Sequence, residues 1–273
     1  MTVHLNKNRL VVVLAATLSA NAAMAANPVG NAAAWDLGVH IDLIGVAQLD
    51  VGAQTSVQLT NVLASASDSQ TLPSAAFASP LNLITLSTGA LASDVEYVGS
   101  SQSAIAARSS VHDLDLSAGA SVLTLTAGTV TSTSSLAGAC PDPVPGINSL
   151  LEDFVFYSGF DAGNLGPGGG GGGGGGGFGG LPPSGGALVD PQVTILGTPV
   201  PDLPLNPAPN TAIDLGALGI VGATLVLNEQ TTSGDGVHSL ARATNAIHLT
   251  LDVAQLVTAD VIIAHSDVSL ACP

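Results

Sequence analysis

From Asp36 to Leu43 the chain alternates without a slip. Leu37, Val39, Ile41 and Leu43 are apolar, whereas Asp36, Gly38, His40 and Asp42 are not. An extended backbone sends successive side chains to opposite faces, so these eight residues predict a strand with one buried and one wet face. Runs of the same kind recur at 57–63, 81–87, 91–98, 122–133, 223–229, 247–253 and 261–270, separated by Gly, Ser, Asn and Pro clusters. Only 147–157 has helix-like spacing, and a short helix or turn is expected there. The predicted class is all-β, a β-sandwich-like or curled-sheet body.

Composition narrows the function. Charged residues are 9% and hydrophobic residues 46%, too few charges for a soluble helical bundle and too much apolar matter for a disordered chain. The start reads as a secretory signal peptide over 1–25. His4, Lys7 and Arg9 precede an apolar Leu10 to Ala16, and Ala23-Met24-Ala25 is a small-x-small cleavage triplet. Beyond it stand two arginines, Arg108 and Arg242, against 20 acids, a net charge of −18. That field repels phosphate backbones and anionic lipid, so no nucleic-acid partner is expected. No later apolar run is long enough for a membrane helix, and two Tyr, one Trp and five Phe are too few for the girdles of a membrane barrel. No membrane insertion is expected. The reading is a secreted, extracellular protein, of the periplasm or cell surface.

The chain carries a short internal repeat. Residues 126–141 align without a gap on 258–273, an offset of 132, and both copies end in Ala-Cys-Pro. Two related β halves follow, over 26–140 and 190–273, joined by a Pro/Gly-rich linker at 141–189 that holds ten consecutive glycines from Gly168 to Gly177. Cys140 and Cys272 close the two copies. In an exported chain with two cysteines they predict one disulfide, since equivalent positions near a pseudo-two-fold axis become neighbours.

Chemistry-bearing motifs are sparse. The histidines beyond the leader are His40, His112, His238, His248 and His265, and none stands in a nucleophile-elbow or zinc-protease motif. No catalytic residue is expected. Asp113 and Asp115, two apart on a strand, and Asp235 in a glycine-flanked turn are the oxygen donors weighed for Ca²⁺; otherwise no cofactor or metal is expected. Asn228-Glu229-Gln230 follows an apolar run and precedes Thr231-Thr232-Ser233-Gly234. It reads as a strand end whose polar side chains bond the next turn, or as a ligand or cation site at a sheet edge.

The segments 209–215, 226–230, 244–249 and 261–264 together resemble the choice-of-anchor P family, exported bacterial proteins with a shared β-rich body and varied C-terminal anchors. The Leu227-Asn228-Glu229-Gln230 segment is the most specific element, and the likeness spans about 65 residues. No anchor follows it here, which favours release or periplasmic residence. The resemblance implies a surface or exterior role and lends no catalytic residues. The expected function is a structural or binding/adhesion-type protein of the bacterial exterior, its partner an extracellular ligand or itself. The rivals are a self-assembling fibre or coat subunit, given the absence of edge-protecting lysines, and a secreted hydrolase.

Overall fold

The structure is a computed structural model that describes residues 27–43, 47–79, 84–99, 103–118, 122–140, 157–158, 184–200, 203–216, 220–253 and 257–273. Among them there is no helix. Every strand pairing is antiparallel, and the strands form two sheets packed face to face. The ten-glycine run and the expected helix, except for Tyr157, lie outside the described residues.

The chain enters sheet A with β1 (Val29–Leu43), β2 (Ala47–Gln54) and β3 (Val57–Val62). It crosses to build sheet B from β4 (Ala66–Leu72), β5 (Ala75–Ala78), β6 (Ile84–Thr88), β7 (Leu91–Val98), β8 (Ser103–Ala118) and β9 (Leu123–Gly138). Sheet B continues with β10 (Tyr157–Ser158), β11 (Gly185–Val189), β12 (Gln192–Ile195) and β13 (Thr198–Pro199). The chain then returns to sheet A with β14 (Thr211–Asp214), β15 (Ala223–Gly234), β16 (Ser239–Val253) and β17 (Val257–Ala271). Strand β11 thus occupies the last residues of the stretch read as linker.

The two sheets are assembled alike. Sheet A runs β14-β15-β16-β17-β1-β2, and sheet B runs β5-β6-β8-β9-β12-β13. In each, a long hairpin holds the middle, flanked on one side by the strands that precede it and on the other by strands from the distant part of the chain. Both chain segments therefore share each sheet. β1 lies along β17 for 14 paired residues, and β11 and β12 lie end to end along β9.

A crease crosses both sheets and explains a pattern that the sequence hides. In sheet A the pairing places Asn210, Asn228, Ala246, Ala264, Asp36 and Thr55 on one line across the strands. Asn210, Asn228, Ala264 and Thr55 have φ between 45° and 59°, the left-handed region that side chains pay to enter. At this line the inward alternation changes phase. Leu227 with Asn228, Ala246 with Ile247, Ile263 with Ala264, and Asp36 with Leu37 are consecutive and all buried. The register is the same on both sides, so the crease is a rotation of the backbone without an inserted residue. In sheet B, Asp190 and Asp113 (φ 49° and 50°) stand on a matching line with Gly128 and Gly89.

The crease divides the interior. On one side an aliphatic cluster includes Ile41, Leu116, Leu125, Leu225, Leu249 and Val261. On the other a smaller cluster includes Val57, Tyr97, Ile105, Leu136, Val268 and Leu270. Hydroxyls lie between them: Ser93, Ser109, Ser132, Ser134, Thr244 and Ser266 are all at most 1% exposed. Each added methylene buried would contribute about 0.8 kcal/mol, so a serine layer is stabilised only if its hydroxyls find partners. Ser266 donates to Ser134 Oγ (3.0 Å), and Ser134 donates to the Ser266 carbonyl (2.9 Å).

The phase change corrects one expectation. Asp36, read as a wet-face residue, is fully buried. Its carboxylate accepts hydrogen bonds from Ser93 (3.1 Å), Ser109 and Thr55. Burial holds its pKa above the ordinary carboxylate value, and those three hydroxyl donors work against the shift.

Cys140 and Cys272 are bonded, with Cα atoms 5.4 Å apart. The bond joins the residues just beyond β9 and β17, the facing central strands of the two sheets.

Candidate functional site

The outer face of sheet A gathers the polar side chains that the strands point away from the core. Pairing sets them in rows. Trp35 of β1 stands opposite His265 of β17, with ring centroids 4.6 Å apart and planes 20° from parallel. One step beyond the crease, Gly38 stands opposite Ile262, and Val39 opposite Val51 brings Gly52 to the same level. One step further, His40 stands between Asp260 of β17 and Asp50 of β2.

These rows enclose a groove of about 260 Å³, lined by Trp35, Gly38, His40, Asp50, Gly52 and Asp260 among others. Its depth comes from missing side chains. A Cβ on Gly38 would stand 2.9 Å from the Trp35 ring, so only glycine lets the indole lie over that strand, while at Gly52 a Cβ would meet nothing within 4 Å. The far end is acidic. His40 hydrogen-bonds Asp50, and its pKa is raised by that bond and by the charges of Asp50, Asp42 and Asp260.

A hydrogen-bond network holds the neighbouring side chains in place. Glu229 Oε2 accepts from Asn245 Nδ2 (2.7 Å) and pairs with His248 Nδ1 (2.8 Å). The other nitrogen of His248 reaches Asp260 Oδ1 at 3.0 Å. His265 lies between Asn245 and Asp267. A histidine held at both nitrogens is fixed in orientation and has no ring nitrogen left for a nucleophile or a metal.

The sequence candidates separate. Asn228-Glu229-Gln230 does not end a strand, because β15 runs on to Gly234 and the turn falls at 235–238. The left-handed backbone at Asn228 turns its side chain inward. Its Oδ1 accepts from Gly186 N (2.7 Å) and Gln230 Nε2 (2.8 Å), and its Nδ2 donates to the Pro207 carbonyl (2.7 Å). Asn228 is 4% exposed and ties sheet A to β11. Only Glu229 of the triplet joins the outer network. Asp113 and Asp115 are both exposed on β8, on the other sheet. Asp235 caps its turn by accepting from the backbone of Val237, His238 and Ser239. Among the described residues no group of three or more His, Cys, Asp or Glu is arranged to hold a metal ion.

The groove itself was missed at the sequence level. Its signal was present: the sole tryptophan sits on a strand at an outward position, followed by glycine at the next outward one. The crease at Asp36 disguises that parity, since Trp35 and Gly38 share a face only because two residues between them turn in.

No protein-family model, curated protein or solved structure matches the chain. Its class is given by the fold, an all-β body of two packed antiparallel sheets with one disulfide. No described helix is long and apolar enough to cross a membrane.

Proposed function

We propose that this chain is an exported, non-catalytic binding protein of the bacterial exterior, and that it binds through the Trp35 groove on the outer face of sheet A. The groove carries the reading. It combines an aromatic wall, an open position at Gly52 and convergent polar groups at the far end, the usual ingredients of a small-ligand site. The 1–25 signal sequence and the disulfide support export. The resemblance to the choice-of-anchor P proteins supports a place at the cell exterior. His248 and His265 beside the groove are held at both ring nitrogens, which speaks against proton transfer by those two.

The test is retention of the purified protein on the sedimented envelope and extracellular polymer of the source bacterium. The wild type is expected to sediment and Trp35→Ala to stay in the supernatant. Equal behaviour of the two would contradict the reading, as would reproducible turnover in a broad hydrolase screen. The rival fibre subunit has its own motive in β4, which among the described residues pairs only with β7 and whose residues 67–71 are all exposed. Regular filaments of purified protein in electron micrographs would favour that reading instead.

A further inference from the structure

Resting on that reading, we infer that the groove takes a neutral carbohydrate, one sugar unit of a polyhydroxylated chain lying over Gly52 beside the Trp35 ring. A pyranose has a flat face of C–H groups and a rim of hydroxyls. Trp35 lines one end of the groove; one face of its indole is stacked on His265, which leaves the other electron-rich face for the C–H groups. At the other end the groove offers Asp50 and Asp260 as acceptors. Each of these carboxylates uses Oδ1 for a histidine, His40 for Asp50 and His248 for Asp260, which leaves Oδ2 for a sugar hydroxyl. Hydrogen bonds from hydroxyls to an ionised carboxylate are among the stronger neutral–charged pairs.

The charge decides which sugars. The groove has no Lys or Arg among its lining residues, and its only basic group, His40, is already spoken for by Asp50. Uronic, sulfated or phosphorylated sugars would bring a further negative charge beside Asp50 and Asp260 with no Lys or Arg in the groove to offset it, in a chain of net charge −18 beyond residue 25. The groove is open at Gly52, where a Cβ would meet nothing within 4 Å.

Trp35 is the sole tryptophan, so its fluorescence reports the groove alone. The experiment titrates the full protein with hexasaccharides of glucose and of N-acetylglucosamine, with a heparin hexasaccharide, and with choline and spermidine. A saturable change with at least one neutral hexasaccharide is expected, with none for heparin. Gly52→Leu should raise that Kd at least tenfold by filling the groove where no atom stands, and Gly128→Ser, on the outer face of sheet B, should leave it unchanged. Thermal melts of both variants verify folding. A response to the cations only, or to no neutral hexasaccharide, overturns the ligand class. If envelope retention still depends on Trp35 in that case, the binding face stands and the sugar falls. If retention is also indifferent to Trp35, both fall.

Discussion

Ser134 and Ser266 stand 132 residues apart in the chain and hydrogen-bond each other across the interior of the sandwich. Cys140 and Cys272, six residues further on and just past the two strands, have the same separation and are bonded. Two contacts between residues related by one offset place a local two-fold relation between β9 and β17. The strand orders of the two sheets repeat that relation at a larger scale.

The first prediction concerns that disulfide. Closing a loop of this length restricts the unfolded chain by about 4–5 kcal/mol in the chain-entropy account. The Cys140→Ser/Cys272→Ser protein should melt well below the oxidised wild type, and reductant should lower the wild type alone. Non-reducing peptide maps should contain one Cys140–Cys272 crosslinked peptide from monomer. Free thiols or a disulfide dimer would contradict the bond.

The second prediction is the pH response of Asp36. Its folded pKa is raised, so the native state holds this proton more tightly than the unfolded chain does. The stabilisation it brings is whole below the ordinary value near 3.8 and is lost as pH rises through the folded pKa. Asp36→Asn removes the buried charge and keeps acceptors for Ser93 and Ser109, with an amide to donate to Thr55. It should melt higher than wild type at pH 7, by about 2–4 °C for each kcal/mol gained, with the gap closing toward pH 4. Asp36→Ala strands three hydroxyls and should lose about 1–3 kcal/mol or more. A wild type that outlasts Asp36→Asn at pH 7 would show the carboxylate to be net favourable.

The third prediction tests the crease. Ala264 is buried with φ 56°, where a β-branched side chain fits worst. Ala264→Val should therefore destabilise strongly, by about 2 kcal/mol or more, and Ala264→Gly should be neutral or stabilising by about 0.5–1 kcal/mol. Urea midpoints measure both. At an ordinary strand position the order would reverse, because glycine weakens strands and valine favours them.

These residues show what was legible in the sequence. Alternation gave Leu91–Val98 to the residue and located the long strands around 122–133, 247–253 and 261–270, because inward aliphatics alternate with Ser, Thr and Asp. Both cysteines were legible through the shared Ala-Cys-Pro ending. The first half of strand β8 escaped because Ser103 to Ser110 buries mostly alanine and serine, which carry little apolar contrast. Strand β4 escaped because it is exposed along most of its length and exists through its pairing with β7. The crease was invisible, since left-handed Asn228, Asp113 and Ala264 come from backbone rotation imposed by whole sheets. Asp36, the true role of Asn228 and the Trp35 groove all depend on it, so they were misread or missed together.

The fourth prediction follows from net charge. Beyond residue 25, 20 acids face two arginines, and their repulsion opposes the compact state. Sodium chloride raised from 0.01 to 0.15 M shortens the Debye length from about 30 Å to about 8 Å. The melting temperature should rise over that range, and a flat or falling curve would show the charges to be compensated already.

The binding face is tested most directly by sedimenting wild type, Gly52→Leu and Gly128→Ser side by side with the bacterial envelope and its extracellular polymer. Gly52→Leu adds atoms to open space in the groove and leaves Trp35, the crease and the core intact. Wild type and Gly128→Ser should be retained, while Gly52→Leu should remain in solution with an unchanged melting temperature. Retention of a folded Gly52→Leu protein at the wild-type level would contradict the proposed binding face.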